Sequence, residues 1–373
     1  MMQFHSHPSV AIVGATGAVG REMLEILAQR KFPMRSLRLF ASPRSVCTRI
    51  PFAATSIAVE ALEHGMPSDV PRDIPRDIPM DIPRDIDLVL FSAGKGISKE
   101  WAPKFVSAGA MVIDNSSAFR ADPACPLVVP EVNAHALEAL RAPAIIANPN
   151  CSTIVALMAV TPLHRALGVE RMVVATYQAA SGAGAAAMSE LEKQAHAFVA
   201  GTPMDTAIFG RQYLFNVFSH NSAIGPDGYN EEERKLLTET RRIWESDSVR
   251  VSATCVRVAT LRAHAEAIHL EFARATSEAE IRALLAAAPG VRVVDDRAAN
   301  RFPEPLDAAG CDDVLVGRIR MDPSIAGNRG AALFVCGDQI RKGAALNAIQ
   351  IAEFFLPRNA PATARTCHAP AAI

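Results

Sequence analysis

The chain has 373 residues, half of them hydrophobic, which is ample for a large buried core and suggests two domains rather than one. With 38 Lys plus Arg against 39 Asp plus Glu, the net charge of -1 excludes the broad basic footprint of a nucleic-acid binder or of a protein held on anionic lipid. The longest apolar stretches, Ile145–Ala147 and Ile154–Val160, fall far short of the roughly 18–20 residues of a membrane span.

Met1 to Ser9 has no basic segment leading into an apolar run, so no secretory signal is read there and the cytoplasm is the expected compartment. Cys47, Cys125, Cys151, Cys255, Cys311, Cys336 and Cys367 are scattered and never spaced as CxxC. Neither a disulfide framework nor a metal site is expected from that spacing, and free thiols suit a reducing compartment.

In chain order, Ser9-Val-Ala-Ile-Val13 is a short β-branched run, followed by Gly14-Ala-Thr-Gly-Ala-Val-Gly20 and the amphipathic stretch Arg21–Arg30. Strand, glycine turn and helix in that order predict the first βα unit of a Rossmann-type dinucleotide-binding domain. In such a turn Gly14, Gly17 and Gly20, with Thr16, Ala18 and Val19 between them, bring backbone N–H groups to a pyrophosphate at the helix N-terminus. A second strand, Leu37–Ala41, ends in Ser42-Pro-Arg-Ser45. An NAD site would place an acid there for the ribose; Arg44 and Ser45 suit a 2′-phosphate, so NADP is the expected cofactor.

The segment Val70–Ile86 repeats Pro-Arg-Asp-Ile with proline at every fourth position, which neither a helix nor a central strand accommodates, so 71–86 is expected to be an extended surface loop. Asp87–Gly94 and Ala110–Asn115 continue the βα pattern of a parallel sheet. Asn148-Pro-Asn-Cys-Ser-Thr153 then places Cys151 in a polar turn before an apolar helix start. A helix N-terminus favours a thiolate, and its amides can hold an oxyanion, as thiolate attack on a carbonyl requires.

Beyond Cys151 the strand candidates Arg171–Tyr177, Ser252–Val258 and Ala267–Phe272 are expected to form an antiparallel sheet in an α+β domain. Strand alternation sets His264 and Glu266 on the face shared by Ile268, Leu270 and Phe272, an ionisable pair opening an apolar face. A helix is expected over about 341–357, joined to the first domain, and the Pro/Ala-rich 358–373 reads as a disordered tail. The expected division is a cofactor domain over 1–150 and a catalytic domain over 151–340.

Asp114-Asn-Ser-Ser-Ala-Phe-Arg120, Val129-Pro-Glu-Val-Asn133, Asn148-Pro-Asn-Cys151, Gln178-Ala-Ala-Ser-Gly-Ala-Gly184, Asn230-Glu-Glu-Glu-Arg-Lys235, Arg257 with His264, and Gly343-Ala-Ala-Leu-Asn347 follow one another along nearly the whole chain. Together they resemble the aspartate-semialdehyde dehydrogenase family. The resemblance implies NADPH-dependent conversion of L-aspartyl 4-phosphate to L-aspartate 4-semialdehyde through a thioester on Cys151, in the biosynthesis of lysine by way of diaminopimelate, and of threonine, methionine and isoleucine. It also implies a homodimer formed through the second domain.

Residue by residue, the resemblance makes His264 the acid/base and Gln178 the residue that orients substrate or thioester. Arg257 would clamp the α-carboxylate and Glu232 would accept from the α-ammonium, while Arg120 and Lys235 would serve the phosphate and Asn150 would border the substrate. Ser181, Gly182 and Asn347 would lie at the cofactor. The proline repeat, Lys95 in place of a common glycine, and the longer tail depart from the family pattern. N-acetyl-glutamyl-phosphate reductase runs the same chemistry, but that family carries glycine where Asn150 stands. A non-catalytic relative and a Cys151–His264 hydrolase are the remaining alternatives.

Overall fold

The computed structural model describes residues 3–4, 6–62 and 85–357. The proline repeat, apart from its last two residues, and the expected tail 358–373 lie outside them. The described chain forms two compact units: the first holds the residues up to Val128, Ala134–Asn148 and those from Ala348 on, and the second holds Val129–Asn133 and Pro149–Asn347.

The first unit is built on strands β1 (Ser9–Val13), β2 (Ser36–Ala41), β3 (Arg49–Phe52), β4 (Thr55–Ala61), β5 (Leu88–Phe91), β6 (Met111–Asp114) and β7 (Ile145–Ala147), in the order β3-β4-β2-β1-β5-β6-β7. All pairs are parallel except β3 with β4. The central strands β1, β5 and β6 are buried along their whole length, as a parallel sheet covered on both faces requires. Helices α1 (Ala18–Gln29) and α2 (Lys95–Ser107) supply cover. The β3–β4 hairpin was not expected from the sequence. Pro51 lies in β3, the edge strand, where the missing N–H leaves no ladder bond unmade. The closing segment is held by Arg30–Glu353 at 2.7 Å and by Phe4 N–H on Phe355 O at 2.9 Å.

The second unit carries β8 (Val169–Gln178), β9 (Val217–Ser219), β10 (Arg250–Val258), β11 (His264–Phe272), β12 (Val291–Val293), β13 (Val314–Met321) and β14 (Gly330–Gly337), ordered β12-β13-β14-β11-β8-β10-β9. The sheet is mixed rather than antiparallel: β10 pairs parallel with β8, and β12 with β13. A parallel pair needs a long crossover, and the 71 residues between β8 and β10 include α4 (Ala185–Ala200) and α5 (Glu231–Ile243). Helix α3 (Cys151–Leu167) is buried on nearly every side, and its Val155 packs so closely on β14 that a Cβ at Gly337 would lie 2.6 Å from it.

Among the described residues no helix is long and apolar enough to cross a membrane, and no group of three or more His, Cys, Asp or Glu is placed to hold a metal ion. Cys47, Cys125, Cys151, Cys255 and Cys336 are outside any disulfide.

Candidate active site

In the first unit the glycine turn is fitted for close backbone approach. Gly14 has φ +88°, and a Cβ there would meet the Ser92 carbonyl at 2.8 Å; one at Gly20 would meet Gly14 O at 2.3 Å. Gly17 is the N-cap of α1 and no side chain caps it. The amides of Ala18, Val19 and Gly20 therefore open the helix without a side-chain acceptor, which suits a phosphate. Thr16 Oγ1 lies 3.4 Å from Ser45 Oγ, which ties the turn to the loop after β2. Arg44 on that loop is exposed and makes no hydrogen bond or ion pair among the described residues. These groups fit a dinucleotide with a 2′-phosphate. Arg120, also in this unit, donates from Nε to Asn148 O at 2.9 Å and from Nη2 to Asn115 O at 2.8 Å.

In the second unit Cys151 is the first residue of α3, and Asn150 is its N-cap. Asn150 Oδ1 accepts from Ser152 N–H at 3.0 Å and Thr153 N–H at 3.2 Å, and its Nδ2 donates to Glu232 Oε1 at 2.7 Å. The Asn150 amide donates to Glu239 Oε2 at 2.6 Å. The helix start is thus bolted to α5 by a side chain and a main-chain group of one residue. Gly343 closes over it, since a Cβ there would lie 2.9 Å from Cys151 Cβ.

Glu232 is a hub. Besides Asn150 it accepts from Gln178 Nε2 at 3.3 Å and from Lys235 Nζ at 3.0 Å, one turn along α5. Burial would raise its carboxyl, but Lys235, His220 and the bond from Asn150 override this and hold it down at about 2. Gln178, at the end of β8, also donates to Ser152 Oγ at 2.9 Å.

Arg257 and His264 meet at Ala179. Arg257 Nη1 donates to Ala179 O at 2.9 Å, and the Ala179 amide donates to His264 Nδ1 at 3.0 Å. Register explains the meeting: Arg257 pairs with Gln178, and Ala265 with Tyr177, across adjacent strands. His264 is fully buried and its Nε2 has no partner among the described residues. Burial, reinforced by Arg257, pushes its imidazole down to about 3. Since Nδ1 accepts, the neutral ring carries its proton on Nε2. Gly182 lies against both groups, for a Cβ there would be 2.9 Å from Arg257 Nη1 and 3.0 Å from His264 Nε2. Cys151 is near enough to Arg257 for the two to interact electrostatically.

Within the second unit, then, Asn150, Gln178, Glu232 and Lys235 are hydrogen-bonded together, and Arg257, His264 and Gly182 form a second group sharing β8 with Gln178. Ser181 is bonded through its hydroxyl to Gln339, and Asn347 Oδ1 accepts from the buried Lys342 at 2.9 Å. The glycine turn, Arg44, Ser45 and Arg120 belong to the first unit. Sequence reasoning missed His220, Asn221, Ser152, Glu239 and Lys342. Glu239 was within reach, since it stands seven residues after Glu232 on one face of a helix; the others carry no local signal.

Residues 9–140 match the family model described as semialdehyde dehydrogenase, NAD binding domain, and 160–342 match that described as semialdehyde dehydrogenase, dimerisation domain. The chain is 48% identical over 349 residues to an aspartate-semialdehyde dehydrogenase from a Synechocystis species, covering 94% of this chain and 97% of the relative. It is 45% identical to that of Aquifex aeolicus, covering 93% and 97%. Among solved structures it is similar to aspartate semialdehyde dehydrogenase II of Vibrio cholerae complexed with ASA, at 40% identity, a TM-score of 0.86, and coverage of 95% of this chain and 100% of that one. Likeness of this extent in sequence and fold places the chain in the aspartate-semialdehyde dehydrogenase family.

Proposed function

We propose that the protein catalyses the NADP-dependent, reversible interconversion of L-aspartyl 4-phosphate and L-aspartate 4-semialdehyde, a step in the biosynthesis of lysine, threonine, methionine and isoleucine. The observation that carries this reading is Cys151 at the head of α3, capped by Asn150 and within the field of Arg257.

The Cys151 thiolate, favoured at a helix N-terminus, forms a C–S bond to the acyl carbon as the carbon–oxygen bond to phosphate breaks. In the first unit the glycine turn, Arg44 and Ser45 would hold NADPH, and in the second Ser181, Gly182 and Asn347 are assigned to it; when bound, the cofactor would supply the hydride that reduces the thioester. His264, neutral and with Nδ1 occupied by Ala179 N–H, donates a hydrogen bond from Nε2 to the oxygen that gains charge and keeps its proton. The C–S bond then breaks as the carbonyl re-forms, which frees the aldehyde and returns the Cys151 thiolate. Arg257 has three of its five N–H donors on protein acceptors, which leaves two, the number that a bidentate carboxylate takes. Glu232, kept anionic, suits the α-ammonium. Lys235 and Arg120 are assigned to phosphate, and Gln178 and Asn150 position the thioester.

On this reading the residues up to about 150, joined by the helix of about 341–357, bind the cofactor, and 151–340 carry catalysis and dimerisation. Exposed Phe198, Phe215, Val217 and Ile224, at 54%, 70%, 63% and 66%, supply an apolar surface in the second unit that a homodimer would cover. A monomer mass in sedimentation at micromolar concentration would refute the dimer. The cytoplasm follows from the substrate, a charged and hydrolysable acyl phosphate that has to be used where it is made.

The test is phosphate-dependent reduction of NADP by aspartate semialdehyde, followed at 340 nm, beside Cys151→Ala. Activity lost in the variant is the expected result. Turnover of N-acetylglutamate semialdehyde alone would assign the chain to the acylated substrate instead.

A further inference from the structure

Arg257 is buried at 3% exposure, so the direction of its guanidinium depends on protein acceptors. Ala179 O takes Nη1 at 2.9 Å, Asn221 Oδ1 takes Nε at 3.3 Å, and His220 Nε2 lies 2.9 Å from Nη2. Arginine does not give up its proton, so the last contact has one polarity, with the guanidinium donating and the imidazole accepting. A neutral ring that accepts on Nε2 carries its proton on Nδ1, which donates to Ser222 Oγ at 3.0 Å. Ser222 N–H lies 3.3 Å from the same nitrogen, but an arginine cannot accept, so the Arg257 contact decides the tautomer in favour of the shorter bond to Oγ. Ser222 Oγ also accepts from Glu232 N–H at 3.4 Å, in the first turn of α5. A chain of hydrogen bonds therefore runs from the α5 N-terminus through Ser222 and His220 to Arg257.

We propose that His220 is a positioning residue for substrate recognition: its Nε2 lone pair fixes the Arg257 guanidinium so that the two remaining N–H donors are presented together to the α-carboxylate. The proposal rests on the reading of Arg257 as carboxylate clamp. Only a neutral His220 can do this, because protonation would set two donors and two cations against each other. The charged groups around it are Glu232 and Lys235 on α5 and Arg257 on β10, with His264 on β11 coupled to it. Burial, helped by Arg257 and Lys235 and opposed by Glu232, lowers His220 to about 4, so it accepts throughout the neutral range.

The test uses two amides of different reach in the full-length protein. Glutamine can place its carbonyl oxygen near the Nε2 position, whereas asparagine reaches only the Nδ1 position. His220→Asn is expected to raise KM for aspartate semialdehyde by tenfold or more, with KM for phosphate and for NADP and the value of kcat within about threefold of wild type. His220→Gln is expected to restore the aspartate-semialdehyde KM to within about threefold. Equal KM values in the two variants, or a loss in His220→Asn shared by all three substrates, would overturn the proposal. Absence of activity in the wild-type protein would instead overturn the assigned reaction.

Discussion

Arg257 and His264 are tied to the two ends of one residue, the carbonyl and the amide of Ala179. Neither side chain can turn without pulling on the residue that holds the other, so the carboxylate clamp and the hydrogen-bond donor proposed for the site share one support. The support is main chain at the end of β8, which a side-chain substitution at position 179 would not remove.

Gly182 is pressed against both groups, and this makes it a sensitive probe. Gly182→Ala would put a methyl 2.9 Å from Arg257 Nη1 and 3.0 Å from His264 Nε2, and Ala179 leaves little room for either to retreat. A displacement of this size is expected to lower kcat/KM by about ten- to a hundredfold, with little change in thermal midpoint. Unchanged kcat/KM would mean that the two groups are less constrained than their bonds imply.

Asn150 does two jobs that substitution can separate. Asn150→Ala removes the cap of α3, which costs about 1 kcal/mol, and leaves buried Glu232 without its 2.7 Å donor, which costs a further ~1–3 kcal/mol. Asn150→Asp keeps a cap acceptor but sets a second carboxyl against Glu232. Urea unfolding should show Asn150→Asp losing more stability at pH 8 than at pH 5, where the pair can share a proton; a loss independent of pH would contradict the contact.

Glu266 is fully buried, with both carboxyl oxygens lacking a partner among the described residues. Burial, and then the charge of Glu232, raise its carboxyl well above the usual 4.5. The unfolded chain ionises this group above pH 4.5 while the folded one keeps the proton, so the stability it contributes is lost as pH rises, by about 1.4 kcal/mol per unit. His264 runs the other way: lowered to about 3 from 6.5, its contribution is full above pH 6.5 and is lost as pH falls towards 3. Above pH 6.5, then, the Glu266 slope stands alone. Glu266→Gln should stabilise the protein at pH 8 more than at pH 7 and not at all at pH 4. Chemical denaturation across that range checks the slope, and a gain that is flat in pH would sink the assignment.

Arg44 is exposed on the loop that Ser45 joins to Thr16. Arg44→Ala should raise KM for NADP about tenfold, the loss of one charge-assisted contact, and leave KM for NAD unchanged. Added salt should narrow the difference between the two proteins, because an exposed ion pair is screened. Equal effects on both cofactors would remove Arg44 from the 2′-phosphate.

The sequence by itself determined the local devices: the glycine turn after β1, the start of α3 at Cys151, the common face of His264 and Glu266, and the one-turn spacing of Glu232 and Lys235. Each is a short-range pattern whose period or capping chemistry is legible in consecutive residues. Tertiary structure alone decided that β8 and β10 run parallel, that Pro51 falls on an edge strand, that Asn150 bonds Glu232 from 82 residues away, and that His220 reaches Arg257 from 37. These partners are chosen by sheet register and by crossovers that bring distant segments together. Such long-range choices leave no periodic mark in the chain, so a histidine such as His220 is indistinguishable in sequence from any other until the fold places a guanidinium beside it.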